Sequence, residues 1–157
     1  MRRLSAAILV LVAALFAVAR FGVIPFRDNI AIREIEQQTN VAQDADPSRA
    51  VVIARANLDE LDRIARSHAL DPAWYLDYGA NCEILGRWQD AVNSYTRALA
   101  VDQRPEIYFN RGLALLHLGQ VEAATSDLTT AVRFNPTFLD QIDGELHARV
   151  ALAAGMK

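Results

Sequence analysis

The chain has 157 residues, of which 52% are hydrophobic, and a formal net charge of −3. This length suits one modest domain with a preceding segment, and the few glycines and prolines suit an all-helical protein. Residues 28–157 hold all 19 acidic residues against 12 basic ones. That balance argues against nucleic-acid binding, which needs a basic surface to neutralise phosphates.

The first segment, residues 1–27, is apolar and basic. Leu4 to Ala19 contains no charged residue, and Arg2 and Arg3 precede it. Because a bilayer span needs about 20 apolar residues and Arg20 can extend to the interface, residues 4–26 are predicted to cross the lipid bilayer. The leading arginines predict a cytoplasmic N-terminus and a periplasmic or other extracytoplasmic location for the rest of this single-pass membrane protein.

A cleaved signal peptide is the alternative interpretation of the same segment. Ala17-Val18-Ala19 is a small-x-small motif, and cleavage after Ala19 would release a soluble periplasmic or secreted protein. Alanines on the apolar segment would also allow close packing of a transmembrane helix against other subunits. Both interpretations stay open.

Residues 28–46 are predicted to form a helical linker, and residues 47–71 a long helix. Asp28 is expected to cap a helix that ends near Thr39. Asp46-Pro47 is a strong helix start, with an oxygen acceptor at the N-cap and a proline at the first helical position. The second helix would be a degenerate half-repeat that either adds to the following domain or fills its groove.

An internal repeat follows. Shifting the chain by 33 residues superimposes identical residues at eight positions. The pairs are Pro72 and Pro105, Tyr75 and Tyr108, Gly79 and Gly112, Leu85 and Leu118, Gly86 and Gly119, Ala91 and Ala124, Thr96 and Thr129, and Ala98 and Ala131. Each unit is predicted to be two helices joined by a glycine turn, with Gly79 and Gly112 facing small residues such as Ala91 and Ala124 so that the helices can approach closely.

These residues resemble the tetratricopeptide repeat family. The resemblance covers residues 72–104 and 105–136. The second unit closes with Asn135-Pro136, whereas the first ends in Asp102-Gln103-Arg104 and lacks the closing proline. The resemblance implies an all-α fold, a short α–α superhelix of stacked hairpins, with residues 137–157 as a capping helix.

The resemblance also implies protein binding on the surface lined by the first helix of each unit. Counting from each start places nine residues there: Leu76, Ala80, Glu83, Ile84, Phe109, Asn110, Leu113, Leu116 and His117. Such a largely apolar surface suits an apolar helix or peptide segment, or subunits of a membrane complex. Family members that clamp a terminal carboxylate use lysines and arginines here. Asn110 matches one such position, but the only lysine of this chain is Lys157, so a terminal carboxylate is not expected as the ligand.

The sequence offers no convincing reaction centre. His68, His117 and His147 lie on separate predicted helices without a second ligand at helical spacing, so no metal or cofactor is expected. Cys82 is predicted to be a small buried residue. We therefore expect no enzymatic activity. The function first predicted is a membrane-tethered interaction module that scaffolds, assembles or stabilises a membrane complex, and the alternatives are an accessory subunit held by its transmembrane helix and a secreted peptide-binding protein.

Overall fold

The computed structural model describes residues 11–18, 24–66 and 72–156, and all regular structure within these ranges is helical. Residues 11–18 form helix α1. The following elements are α2 (Ile24–Gln43), α3 (Pro47–Ala65), α4 (Pro72–Ile84), α5 (Trp88–Leu99), α6 (Pro105–His117), α7 (Val121–Phe134), a 3-10 helix (Pro136–Gln141) and α8 (Gly144–Ala154).

The predicted single-pass membrane topology is wrong. Across the described ranges, no helix combines the length and the apolar character that a bilayer crossing requires. Helix α2, for example, carries charged residues along its length. The predicted cytoplasmic location of the N-terminus and periplasmic location of the repeats were inferred from that span, so they lose their support. The alternative cleavage site after Ala19, and residues 4–10 and 19–23 of the predicted span, lie outside the described residues.

Helices α2 and α3 form an antiparallel pair, because only Asp44–Asp46 separate them. The predicted start of α3 is confirmed: Asp46 Oδ1 accepts hydrogen bonds from the backbone N–H groups of Ser48 and Arg49, each at 3.1 Å. The predicted capping role of Asp28 is wrong, since α2 already begins at Ile24. Asp28 is instead buried, 3.7 Å from Arg63 Nη2 of α3.

A buried polar cluster joins three helices. Asn57 Nδ2 of α3 donates to Thr39 Oγ1 of α2 at 3.2 Å and to Asn81 Oδ1 of α4 at 3.0 Å. Asn81 Nδ2 donates to the same Thr39 oxygen at 2.8 Å. All three side chains are buried. The α2–α3 pair therefore stacks directly on α4, and it continues the series of hairpins.

The predicted hairpins α4–α5 and α6–α7 are present, with Gly86 and Gly119 at positive φ in the turns. Gly79 and Gly112 do admit a neighbouring helix, and Gly112 faces the backbone of Ala124 as predicted, but the nearest atoms belong to larger residues. A Cβ on Gly79 would lie under 3.0 Å from the Tyr95 ring, and one on Gly112 would lie 2.8 Å from Leu128 Cγ. The glycines thus make room for large side chains one turn beyond the alanines.

The predicted capping segment is divided into the 3-10 helix and α8. The break falls at Gly144, whose φ of +64° lies outside the right-handed helical region. An apolar cluster covers the open side of α6 and α7 at this end. It contains Phe109, Leu128, Ala131, Val132, Leu139, Ile142 and Val150. Both pieces therefore serve as a cap, as expected from their apolar residues.

Candidate functional site

Helix α4 is covered on two sides and open on a third. Asn81 bonds to α2 and α3, and Gly79 contacts α5. The third side carries the four residues of α4 that were predicted to bind a partner, and all four are half-buried: Leu76, Ala80, Glu83 and Ile84.

Helix α6 continues this open side, because it packs mainly on α5 and α7 and also contacts α4 at a few positions. Asn110, Leu113 and Leu116 are half-buried, and His117 is exposed. We call the combined surface of these eight residues, four from α4 and four from α6, the A-helix face. Whether a partner binds there stays a prediction.

Phe109 is the ninth predicted residue, and it is 5% exposed. Its ring stacks on Phe138 of the 3-10 helix at a centroid distance of 4.6 Å. The cap covers Phe109, so it belongs to the core and not to the open surface. The repeat pattern could not show this, because the cap has no counterpart in the repeat.

His117 stacks on a residue that sequence reasoning did not select. The rings of Trp88 and His117 are nearly parallel, at a centroid distance of 3.7 Å. Trp88 begins α5 and His117 ends α6, so the stack closes one end of the A-helix face.

Glu83 is the most unusual residue of the A-helix face. Its Oε1 atom is buried, as is the Tyr95 hydroxyl on α5, and neither atom has a hydrogen-bond partner other than the other. Burial raises the pKa of Glu83 to about 7, and hydrogen bonding from the adjoining Tyr95 hydroxyl lowers it in part. Burial also raises the pKa of Tyr95 well above its usual value, and the neighbouring Glu83 raises it further. The face therefore contains one carboxyl that titrates near neutral pH.

Helix α3 does not fill this face. It packs against α2 and α4, and Asn57 reaches the side of α4 that carries Asn81. Helix α3 therefore does not cover the half-buried residues of the A-helix face.

Two of the clefts outside the A-helix face are lined by residues of α4 or α6. One, of about 240 Å³, lies between α3, α4 and α5 beside Trp74, whose Nε1 donates to the Leu61 carbonyl oxygen at 2.8 Å. The other, of about 310 Å³, lies between α5, α6 and α7 and is lined by Ala123, Ser126 and Arg111 among others. Arg111 is fixed there by two bonds to Asp127, of 2.6 and 2.9 Å.

The other side chains that could react or bind a metal do not lie close together. Cys82 is buried as predicted, and burial raises its pKa to about 11, which disfavours the reactive thiolate. His117 and His147 lie on different helices, and His68 lies outside the described residues. Within residues 11–18, 24–66 and 72–156, no three histidine, cysteine or acidic side chains are grouped as metal ligands would be.

Comparisons with known proteins support the fold. No family model matches the chain. It is 38% identical over 56 residues to a DnaJ homolog subfamily C member 7 homolog from Dictyostelium discoideum, an alignment that covers 32% of this chain and 10% of that protein. The chain thus spans about a tenth of the length of this curated relative.

A solved structure matches over most of the chain. It is the crystal structure of PcrH in complex with the chaperone binding region of PopB, with a TM-score of 0.50 and 21% sequence identity. The match covers 80% of this chain and 95% of that chain. Together with the stacked hairpins, it shows that the chain has a tetratricopeptide-like, all-helical repeat fold.

Proposed function

We propose that this chain is a tetratricopeptide-like interaction module that binds an apolar segment of a partner protein on its A-helix face. The observation that supports this most is the row of half-exposed apolar side chains on two adjoining helices, contributed by Leu76, Ala80 and Ile84 of α4 and Leu113 of α6. Apolar residues held on a preformed helical surface are a common means of recognising peptides.

The fold neighbour supports the same proposal. PcrH is described in complex with the chaperone binding region of PopB, a segment of another protein. That partner belongs to PcrH. For this chain we propose only the class of ligand, a protein segment, and a binding function without catalysis.

The proposal can be tested with peptides selected on the protein. A phage-displayed library of random peptides of about 12 residues would be panned on the immobilised full chain, and dissociation constants of synthetic consensus peptides measured by fluorescence anisotropy. The blocking variant is Ala80→Glu with Asn110→Glu, since both residues lie on the A-helix face and neither belongs to an apolar core cluster.

The matched control is Ala123→Glu with Ser126→Glu, which adds the same charge at exposed positions on α7. We expect the blocking variant to lose at least about tenfold in affinity, or about 1.4 kcal/mol, while the control stays within about twofold. Circular dichroism would check that both variants fold. Equal affinities in the folded blocking and control variants would remove the A-helix face from the proposal.

A further inference from the structure

Two buried polar atoms beside the A-helix face, Glu83 Oε1 and the Tyr95 hydroxyl oxygen, have no hydrogen-bond partner other than each other. Native proteins leave few buried polar atoms unpaired, because each such atom lowers stability. The single O–H of Tyr95 cannot satisfy both oxygens of the Glu83 carboxyl, so this carboxyl keeps acceptor capacity for a further donor.

Gly79 explains how the hydroxyl reaches this place. The Tyr95 ring lies where a side chain at position 79 would be. Glu83 is one helical turn beyond Gly79, so the far end of the ring approaches its carboxyl, and the two groups influence each other's pKa. The bare backbone of α4 thus brings a hydroxyl from α5 next to a carboxyl of the A-helix face.

The second hairpin shows that the fold does not need these polar groups. At the 33-residue shift, Glu83 corresponds to Leu116 and Tyr95 to Leu128. Leu128 is fully buried over Gly112, and Leu116 packs against the adjoining apolar cluster. The same site is therefore filled by an apolar pair in one repeat and by a carboxyl and a hydroxyl in the other.

The A-helix face has no cation of its own to satisfy the carboxyl. None of its eight residues is a lysine or arginine, and Arg111 of α6 is bound to Asp127 of α7. Glu106 is exposed four residues before Asn110, on the same stripe of α6. The A-helix face therefore supplies no lysine or arginine to the Glu83 carboxyl.

We propose that Glu83 determines the specificity of the A-helix face, where its carboxyl, beside the Tyr95 hydroxyl, accepts a hydrogen bond from a lysine or arginine side chain of the bound segment. This inference rests on the proposed function. The long apolar stem of such a side chain suits the surrounding leucine and alanine residues, while its cationic end reaches the carboxyl.

The test uses the consensus peptide from the selection described above. Each position would be replaced in turn by lysine or by norleucine, which keeps the apolar stem and removes the charge. For the wild-type chain we expect one position at which lysine binds at least about tenfold more tightly than norleucine, the range for a hydrogen bond to a charged group.

Three variants locate that preference. Glu83→Leu with Tyr95→Leu copies the second hairpin, and Glu83→Gln keeps the shape of the side chain; both are expected to lose the preference for lysine while still binding the norleucine peptide. Glu106→Gln removes an exposed carboxylate on α6 and is expected to keep it.

The outcomes separate this inference from the proposed function. If peptides bind the A-helix face but no position prefers lysine, or if the preference survives in both Glu83 variants, the assignment to Glu83 is wrong and the proposed function stands. If no peptide binds this face, both are overturned.

Discussion

Glu83 makes the stability of this protein depend on pH in a direction opposite to that of an ordinary ion-paired carboxylate. Its pKa is raised from 4.5 to about 7 in the folded chain. The folded state therefore holds a proton that the unfolded state releases between these values. Since the folded state binds more protons in this window, the free energy of unfolding falls as pH rises from about 4.5 to 7 and then levels off.

Glu83→Gln should remove this contribution. We expect the wild-type chain to lose up to about 3 kcal/mol more stability than the variant between pH 5 and pH 8, an upper value from the size of the pKa shift. Urea unfolding followed by circular dichroism at several pH values would measure it. Glu122→Gln, an exposed change on α7, serves as the control, and a Glu83→Gln profile parallel to wild type would contradict the prediction.

Gly79 offers a second test at the scale of single residues. Gly79→Ala should destabilise the chain by about 1–3 kcal/mol, because the new methyl group would overlap the buried Tyr95 ring. In a Tyr95→Val background the ring is absent, and the same change should be neutral or stabilising, since alanine favours a helix by up to about 1 kcal/mol. Chemical denaturation of the four proteins measures the coupling, and an equal effect of Gly79→Ala in both backgrounds would refute the contact.

At the scale of elements, α4 is joined to α2 and α3 by the cluster of Thr39, Asn57 and Asn81. Asn81→Leu alone should lower the free energy of unfolding by about 1–3 kcal/mol, because it leaves a buried amide donor without its acceptor. Replacing all three residues by Thr39→Val, Asn57→Leu and Asn81→Leu removes the donors together with the acceptors. The triple variant should therefore be more stable than Asn81→Leu in a urea titration, whereas a further loss of stability would show that hydrogen bonding itself holds the helices.

The elements that the sequence predicted well are those that occur twice. The glycine turns and both long hairpins follow from the 33-residue register, because two copies of one pattern identify the spacing without knowledge of the packing. The pairing of α2 with α3 was not predicted, since neither helix shares that register and the contact depends on Thr39 and Asn57, which are polar residues in a core. Glu83 lies on the predicted surface, and comparing the repeats would have linked it to Tyr95, because leucine replaces each of them in the second hairpin.

At the scale of the whole molecule, the predictions that were wrong concern the segments before and after the two repeats. Phe109 was placed on the binding surface because the repeat pattern cannot show that residues 136–154 cover it. The membrane span was predicted from the apolar character of residues 4–26, whereas no helix in the described ranges could cross a bilayer. Local spacing thus predicted the repeats, and contacts beyond the repeat decided what remained exposed.

Apolar residues pack at both ends of the stack, but only the α2–α3–α4 end of the described structure adds buried hydrogen bonds between side chains, and this has a mechanical consequence. Hydrogen bonds at the junction of α2, α3 and α4 are directional and fix the angles between these helices. Beneath α8 the buried contacts are apolar and not directional, and the one hydrogen bond shown between α7 and α8, from Arg133 Nη2 to the Ala153 carbonyl oxygen, is exposed. We therefore expect the superhelix to be stiff near α2 and compliant near α8, so that partners of different width would be accommodated by a change of curvature at the C-terminal end.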